Sequence, residues 1–310
     1  METKKMDVVY VLGNGSKWKN NEIRFSLRSI EKNLSGFRNV VIVGELPDFL
    51  QNVIHIKAED IFNPKKNADG NIITKVLAAC NDSRVSDDFL FINDDHLVIQ
   101  PIHVADVPPL HKGDMTTYKS GYWKLNFWRK RLRRTMEVLR SHGLSTLHFD
   151  CHTPIIFNKE KFKDIIPVFN YQDDIGYTMK SLYGNVMYPD GPFLTDQKKT
   201  VFRNYTLSQL NKRLGTCTFM SFNDQGLNHS LKWWLMEYFP EPSSYEKTLP
   251  REKIIDLWHW NKQGRPYKFG VELFERYYHH KNLIRLFKMG ETKSLRKKLD
   301  YALTQRIKGL

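Results

Sequence analysis

Apolar and polar positions fall into blocks along this chain, and the block lengths separate strands from helices. The run Asp7-Val-Val-Tyr-Val-Leu12 is short and β-branched, and Gly13-Asn14-Gly15-Ser16 closes it, which predicts a strand ending in a tight turn. Ile23, Leu27 and Ile30 then recur at helical spacing, predicting a helix over 22–33 that stops before Gly36. Asn39-Val-Val-Ile-Val43, bounded by Gly44, reads as a buried parallel strand, and 53–56 as a third strand. A helix over 71–80 follows, then a fourth strand, Phe89-Leu-Phe-Ile92, which runs into Asn93-Asp94-Asp95. Strand and helix alternate over the first hundred residues, which argues for an α/β fold built on a doubly wound, mostly parallel sheet.

Beyond Pro101 the pattern is less regular. It predicts a basic helix over 123–141, a strand over 155–157, a short helix opening at 158–161, a helix over 205–214 and a strand over 218–222. The aromatic, proline-containing stretch 233–245 reads as a packed loop. In the last thirty residues Leu295, Leu299, Leu303 and Ile307 form an i, i+4 stripe, so 281–310 is expected to be a basic amphipathic helical tail after a main domain over 1–280.

Composition narrows the class. With 310 residues, 41% hydrophobic and 26% charged, the chain can bury a sizeable core and is neither disordered nor fibrous in character. It has no apolar run of the length that spans a bilayer, and its start lacks the apolar core of a signal peptide. Cys80, Cys151 and Cys217 cannot all pair, so a reducing, cytoplasmic setting is expected. The net charge of +14 is concentrated: residues 111–142 hold nine Lys/Arg against two acids, and 281–310 again nine against two. Basic patches attract nucleic acid, anionic lipid or phosphorylated substrates, unless they are merely solvated.

Three motifs could carry chemistry. In Phe89-Leu-Phe-Ile-Asn-Asp-Asp-His96 an apolar strand delivers Asp94 and Asp95 to its carboxyl end, where open α/β sheets bind ligands. Paired acids there suit Mg²⁺ or Mn²⁺ on a substrate diphosphate, or else a plain turn and cap. Asn14, Gly15 and Ser16 offer backbone N–H groups to a nucleotide if they are more than a tight turn, and Arg24 and Arg28, one helical turn apart, could face its phosphates. In His148-Phe-Asp150-Cys-His152, titratable groups alternate with apolar ones and would share a face when extended, as base, metal ligand or structural pair.

Together these blocks resemble a family. Val8-Val-Tyr10, Asn14-Gly-Ser16, 22–33 and 38–43 look like the opening blocks of the Stealth proteins, sugar-phosphate transferases of capsule assembly related to the lysosomal-tag N-acetylglucosamine phosphotransferase. The resemblance continues through Phe91-Ile-Asn-Asp-Asp95, His152-Thr-Pro154, Arg203-Asn204, Phe222-Asn-Asp224 and Phe239-Pro-Glu-Pro-Ser-Ser-Tyr-Glu246, covering about residues 7–246 in block order. The acidic strand end is also similar to that of GT-A nucleotide-sugar transferases, and the chain looks like compact bacterial polysaccharide transferases, galactofuranosyltransferases among them. One departure matters: where the Stealth pattern carries an Asp implicated in phosphotransfer, this chain has Lys17.

The resemblance implies a GT-A-like enzyme that moves a sugar from a UDP-sugar to a lipid-linked or growing surface polysaccharide, with sugar-1-phosphate transfer as the alternative. Asp94 and Asp95 would organise Mn²⁺ or Mg²⁺, Asp150 would act as base with His152 beside it, and Asp224 is the reserve base. Asn14, Gly15, Ser16, Arg24, Arg28, Asn93, Arg203 and Asn204 would bind substrate. Trp123, Phe127 and Trp128, interleaved with Lys124, Arg129, Lys130 and Arg131, together with the tail, would rest on the anionic inner face of a bacterial cell membrane. Nucleic acid is not an expected partner, because it does not explain the acidic strand end.

Overall fold

The computed structural model of the chain describes residues 5–124 and 126–247. The expected tail over 281–310 and the boundary at 280 lie outside the described residues.

The elements run β1 (Met6–Leu12), α1 (Asn21–Asn33), β2 (Leu34–Ser35), β3 (Phe37–Gly44), β4 (Ile54–Ile56), α2 (Ala68–Asn81), β5 (Asp88–Phe91), β6 (His96–Val98) and β7 (Ile102–His103). Then come α3 (Phe127–Ser141), β8 (Ile155–Asn158), α4 (Lys159–Ile165), α5 (Met179–Met187), β9 (Lys198–Val201), α6 (Leu207–Leu214), β10 (Phe219–Phe222) and α7 (His229–Tyr238). The central sheet has the order β4-β3-β1-β5-β8, parallel except for β8, which runs antiparallel to β5. A second sheet has the order β6-β10-β9, and β2 and β7 form a short parallel pair.

The sheet is wound on both faces, as the alternation of strand and helix implies. Val9, Val41 and Val43 share a core with Ile73 and Val76 of α2. Tyr10 points the other way, its hydroxyl 2.8 Å from Ser26 Oγ of α1. Phe25 of α1 packs with Leu97 and Met220 of the second sheet. At the end of β3, Gly44 has φ 103°, and a Cβ there would stand 2.2 Å from the Leu12 carbonyl, so only glycine lets these two strand ends close together. The fold is therefore α/β with a mostly parallel, doubly wound central sheet. The three cysteines are buried and free.

Several sequence expectations change. The stretch 233–245 is helical at its start: α7 is capped by Asn228, whose side chain accepts from the Leu231 N–H at 2.8 Å, and it ends before Pro240. The basic helix presents a narrower aromatic, cationic face than expected, with Phe127, Lys130, Arg133 and Arg140 exposed. Trp123 packs against Tyr118, Trp128 lies 5.8 Å from the His148 ring, and both are partly buried against the main core. Arg131 is buried on Asp69, Arg134 binds half-buried Asp173, and Arg133 pairs with Glu137 on the exposed surface, so part of this charge is already paired within the protein. Phe127 alone of the three aromatics is exposed. The membrane-facing role expected of this helix is not supported by its placement.

Arg24 and Arg28 are also corrected. Their common helical face turns toward the chain's distal block, not a phosphate. Arg24 Nη1 lies 2.8 Å from Glu246 Oε2 and its guanidinium stacks 3.4 Å from the Phe49 ring centre, while Arg28 Nε lies 2.7 Å from Glu246 Oε1. Glu246 is almost wholly buried, and Ser243 N–H donates to it at 2.9 Å. These two arginines hold its carboxyl below the usual range despite burial, which pushes the other way.

Removing that carboxylate strands two guanidinium groups. Glu246→Ala is expected to cost about 3 kcal/mol or more, read by chemical denaturation. Because the folded carboxyl value is depressed, its contribution is present above the unfolded value of about 4.3 and is lost as pH falls through the folded one. Glu246→Gln should accordingly flatten the acid limb of the stability profile.

Candidate functional site

A cleft opens at the carboxyl ends of β1 and β5, the point where the chain order in the sheet reverses. Its volume is about 530 Å³, and Gly13 to Ser16, Glu22, Lys75, Asp94, Asp95 and Asp224 are among its lining residues. A neighbouring pocket of about 220 Å³ shares Ala68 and Ile72 with it, and is lined by Asp69, Asn93, Trp128, Arg131, Asp150, His152 and Lys180. The cleft suits an elongated polar ligand and the pocket a smaller group.

The turn after β1 is built by its own side chains. Ser16 Oγ donates to Glu22 Oε2 at 2.7 Å and accepts from the Asn20 N–H at 2.7 Å. This hydroxyl shapes the loop that leads into α1, while Asn14 and Gly15 line the cleft. Lys75 reaches the cleft floor, donating to the Leu12 carbonyl at 2.8 Å and pairing with Asp60 at 2.6 Å. Lys17 pairs with Asp224 at 2.6 Å, both largely exposed.

Negative charge is concentrated where β5 ends. Asp94 and Asp95 titrate as a pair above the usual carboxylate range. Burial raises both, the Glu22 carboxylate raises Asp94 further, and Asp94 raises Asp95, where Lys198 and Lys180 oppose the rise. Among the described residues the metal-type cluster is Asp95, His96 and His152, whose ligand atoms lie within 4.8 Å of one another. Asp94 is not part of it. His96 Nε2 lies 3.5 Å from Asp95 Oδ1, and the two imidazole rings are 5.8 Å apart.

His96 is fully buried with both ring nitrogens lacking a hydrogen-bond partner, a costly state unless a ligand completes it. Burial and the nearby cations Lys180 and Lys198 hold it neutral. His152 reaches solvent, yet its surroundings push it down to about 3, through burial first and then Lys198 and Lys112. Neutral imidazoles beside a carboxylate are metal-ready donors, so these residues fit a divalent cation. His152 has φ 56°, a left-handed backbone rare for a residue with a side chain, and it aims the ring at this point.

Asp150 is held by Ser181, whose N–H donates at 3.2 Å and whose hydroxyl donates to the same oxygen, Oδ2. Beside it Asp69 is raised to about 6, by burial first and by the Asp150 charge, against the pull of Arg131, whose Nε lies 2.6 Å away. His148, the third member of the alternating motif, is buried elsewhere: Nδ1 sits 2.7 Å from the Tyr118 hydroxyl.

The structure thus brings Asn14, Gly15, Ser16, Asp94, Asp95 and Asp224 to the cleft, and Asn93, Asp150 and His152 to the adjoining pocket. Arg24, Arg28, Arg203 and Asn204 line neither. Arg203 instead lies over the Phe202 and Tyr205 rings, 5.7 and 5.1 Å from their centres. The sequence reading missed His96, although it follows the two acids directly. It also missed Lys180 and Lys198, whose stretches carry no motif.

No family model and no curated protein matches the chain. The Stealth resemblance therefore rests on the sequence blocks. Among solved structures, the chain is similar to the galactosyltransferase LgtC in complex with donor and acceptor sugar analogs, at 12% identity and a TM-score of 0.43 over 82% of this chain and 99% of that one. It is similar to the apo glycosyltransferase GlyE of Streptococcus pneumoniae TIGR4, at 11% identity and a TM-score of 0.41 over 83% of this chain and 63% of that one. A third is a glycosyltransferase involved in glycosylating the major capsid of PBCV-1, at 11% identity and a TM-score of 0.37 over 70% of this chain and 92% of that one.

The raised pair sets a sign for stability. In metal-free protein its contribution is fully present below the unfolded carboxyl value of about 3.9 and is lost as pH rises through the folded values. Asp95→Asn should therefore raise the metal-free thermal midpoint at pH 8 more than at pH 5. The same change should abolish the upward shift that Mn²⁺ gives the parent protein. A Mn²⁺ shift that survives in this variant would rule the cluster out as the metal site.

Proposed function

We propose that the chain is a nucleotide-sugar glycosyltransferase, with the nucleotide in the larger cleft and the acceptor hydroxyl in the adjoining pocket. The observation that carries this reading is the meeting of the two at Asp95, His96 and His152, with Asp150 alongside. A cation-demanding strand end beside a held carboxylate is what transfer from a diphosphate leaving group requires. The ordered family blocks add support. They point to a UDP-sugar donor, with galactofuranose as a candidate sugar, and to a lipid-linked or growing surface polysaccharide as acceptor. A site at the inner face of a bacterial cell membrane is part of that reading; among described residues no helix is long and apolar enough to cross one.

In this reading Asp150 Oδ1 or Oδ2 takes the proton of the acceptor hydroxyl as its oxygen attacks the anomeric carbon. Ser181 keeps the carboxylate in place. The bond from the anomeric carbon to the diphosphate oxygen breaks, and its electron pair leaves on that oxygen, giving inversion. A divalent cation held by Asp95, His96 and His152 would supply Lewis-acid stabilisation of the leaving diphosphate. The imidazole donors favour Mn²⁺ over Mg²⁺. Asp94 and Glu22 add negative charge on the cleft side, and Asn93 lies on the pocket side.

Sugar-1-phosphate transfer with release of UMP is the second reading, and the block order favours it. Lys17 weighs against it, since that position holds a cation paired with Asp224 at 2.6 Å in place of a free carboxylate.

Incubation with Mn²⁺, a panel of UDP-sugars and a lipid-mimetic glycan acceptor, read by product mass, separates the two. The expected result is UDP and a product heavier by one sugar. UMP and a product heavier by a sugar phosphate would overturn the first reading. Asp150→Asn should lower kcat by about a hundredfold or more. Turnover within a few fold of the parent would remove Asp150 as base.

A further inference from the structure

The second sheet carries a buried polar row that ends at the cluster of Asp95, His96 and His152. Ser221 of β10 pairs with His96 of β6 on one side and with Thr200 of β9 on the other, so the three side chains lie on one face of the sheet. Lys198, two residues before Thr200, shares that face, and its ammonium donates to Thr200 Oγ1. Ser221 Oγ stands 3.5 Å from the same Thr200 oxygen. The opposite face carries Leu97, Met220, Val201 and Phe222 in an apolar core, with Lys199 at its margin paired to Asp196. Lysine and histidine on the inner side of such a sheet are not explained by packing.

Lys180 of α5 approaches from the other direction. It lines the smaller pocket, donates to the Thr153 carbonyl at 2.6 Å, and sits 5.3 Å from the Phe91 ring centre. Lys180 is 5% exposed and Lys198 6%. Among the described residues neither ammonium lies within ion-pair distance of a carboxylate, whereas the similarly buried Lys75 has Asp60 at 2.6 Å. Two buried cations without direct counter-ions are expensive unless an anion arrives. Their charge reaches Asp95, His96 and His152 alike, and burial holds both ammonium groups below the usual lysine value. Lys180 in the smaller pocket and Lys198 on the sheet face that carries His96 thus flank the cation-demanding cluster.

We propose that Lys198 and Lys180 form the anion site that receives the diphosphate of the donor and holds it as it leaves. The inference rests on the nucleotide-sugar reading and names the residues that take the place of Arg24, Arg28 and Arg203 in it. Ammonium groups on Thr200 and Thr153 are fixed in direction, so they can donate remaining N–H bonds to phosphate oxygens without reorganising. The buried polar row then keeps Lys198 aligned with His96 instead of leaving it free to seek solvent.

The test measures binding of inorganic pyrophosphate and of UDP to the full chain by calorimetry, with and without Mn²⁺, alongside thermal unfolding. Lys198→Met and Lys180→Met remove an unpaired buried charge at nearly constant volume, so their midpoints should equal or exceed that of the parent. In each, affinity for both probes should fall about tenfold or more, the size of a lost charge-assisted hydrogen bond. Lys198→Arg should restore part of it. Pyrophosphate should compete with UDP in the parent. Should either folded Met variant bind both probes within twofold of the parent, the proposal is wrong for that lysine. UDP and pyrophosphate bound together without competition would assign the lysines to a phosphate other than the donor's and overturn it. Lysine-dependent pyrophosphate binding without turnover of any nucleotide sugar would leave the anion site standing and sink the glycosyltransferase reading instead.

Discussion

Asp94, Asp95 and Glu22 gather negative charge at the end of β5, where a half-buried cleft holds it at a cost. Burial disfavours ionising Asp94 and Asp95, and the charge of Glu22 on Asp94 and of Asp94 on Asp95 compounds the cost. The response is spatially divided. Lys75 and Lys17 are occupied by Asp60 and Asp224, so they do not neutralise the strand end. Lys180 and Lys198 sit beyond Asp95, on the side of the smaller pocket and the second sheet. Between them stand two neutral imidazoles. Such a gradient, from acids through metal-type donors to buried ammonium groups, is poorly balanced by the protein's own groups, and the proposed cation and diphosphate would balance it.

The rest of the fold keeps that imbalance in place. Parallel β1 and β3 are buried on both faces, and the Gly44 approach to Leu12 fixes their carboxyl ends. The buried clamp of Arg24 and Arg28 on Glu246 ties α1 to the block around residue 246, more than two hundred positions later in the chain. Since α1 also carries Glu22 and Ser26, the clamp holds one wall of the cleft against the sheet. Stability stored in the clamp and the two cores thus offsets what the site itself gives up.

Much of the architecture was legible because its signals are local. β1, β3 and β5 each contain an apolar run (8–12, 40–43 and 89–92) ended by Gly or by Asn-Asp-Asp, and α1 shows its apolar face within three turns. The acidic strand end and the loop from Gly13 were found for the same reason. What failed depends on partners distant in sequence. Arg24 and Arg28 look free on a helical face until Glu246 folds onto them. Arg131 looks like surface charge until Asp69 is placed 2.6 Å away. The aromatic, proline-containing stretch 233–245 reads as a loop, yet Trp234 and Leu235 form the buried side of α7. The row from Lys198 to His96 exists only through strand register, which no single segment encodes.

Crystals grown with Mn²⁺ and UDP, with anomalous scattering recorded at the manganese edge, test the central claim most directly. The expected result is one strong peak within bonding distance of Asp95, His96 and His152, with the diphosphate on its far side toward Lys198 and Lys180. Manganese bound elsewhere, or nucleotide bound in the cleft with the two histidines still without a ligand, would contradict this account of the site.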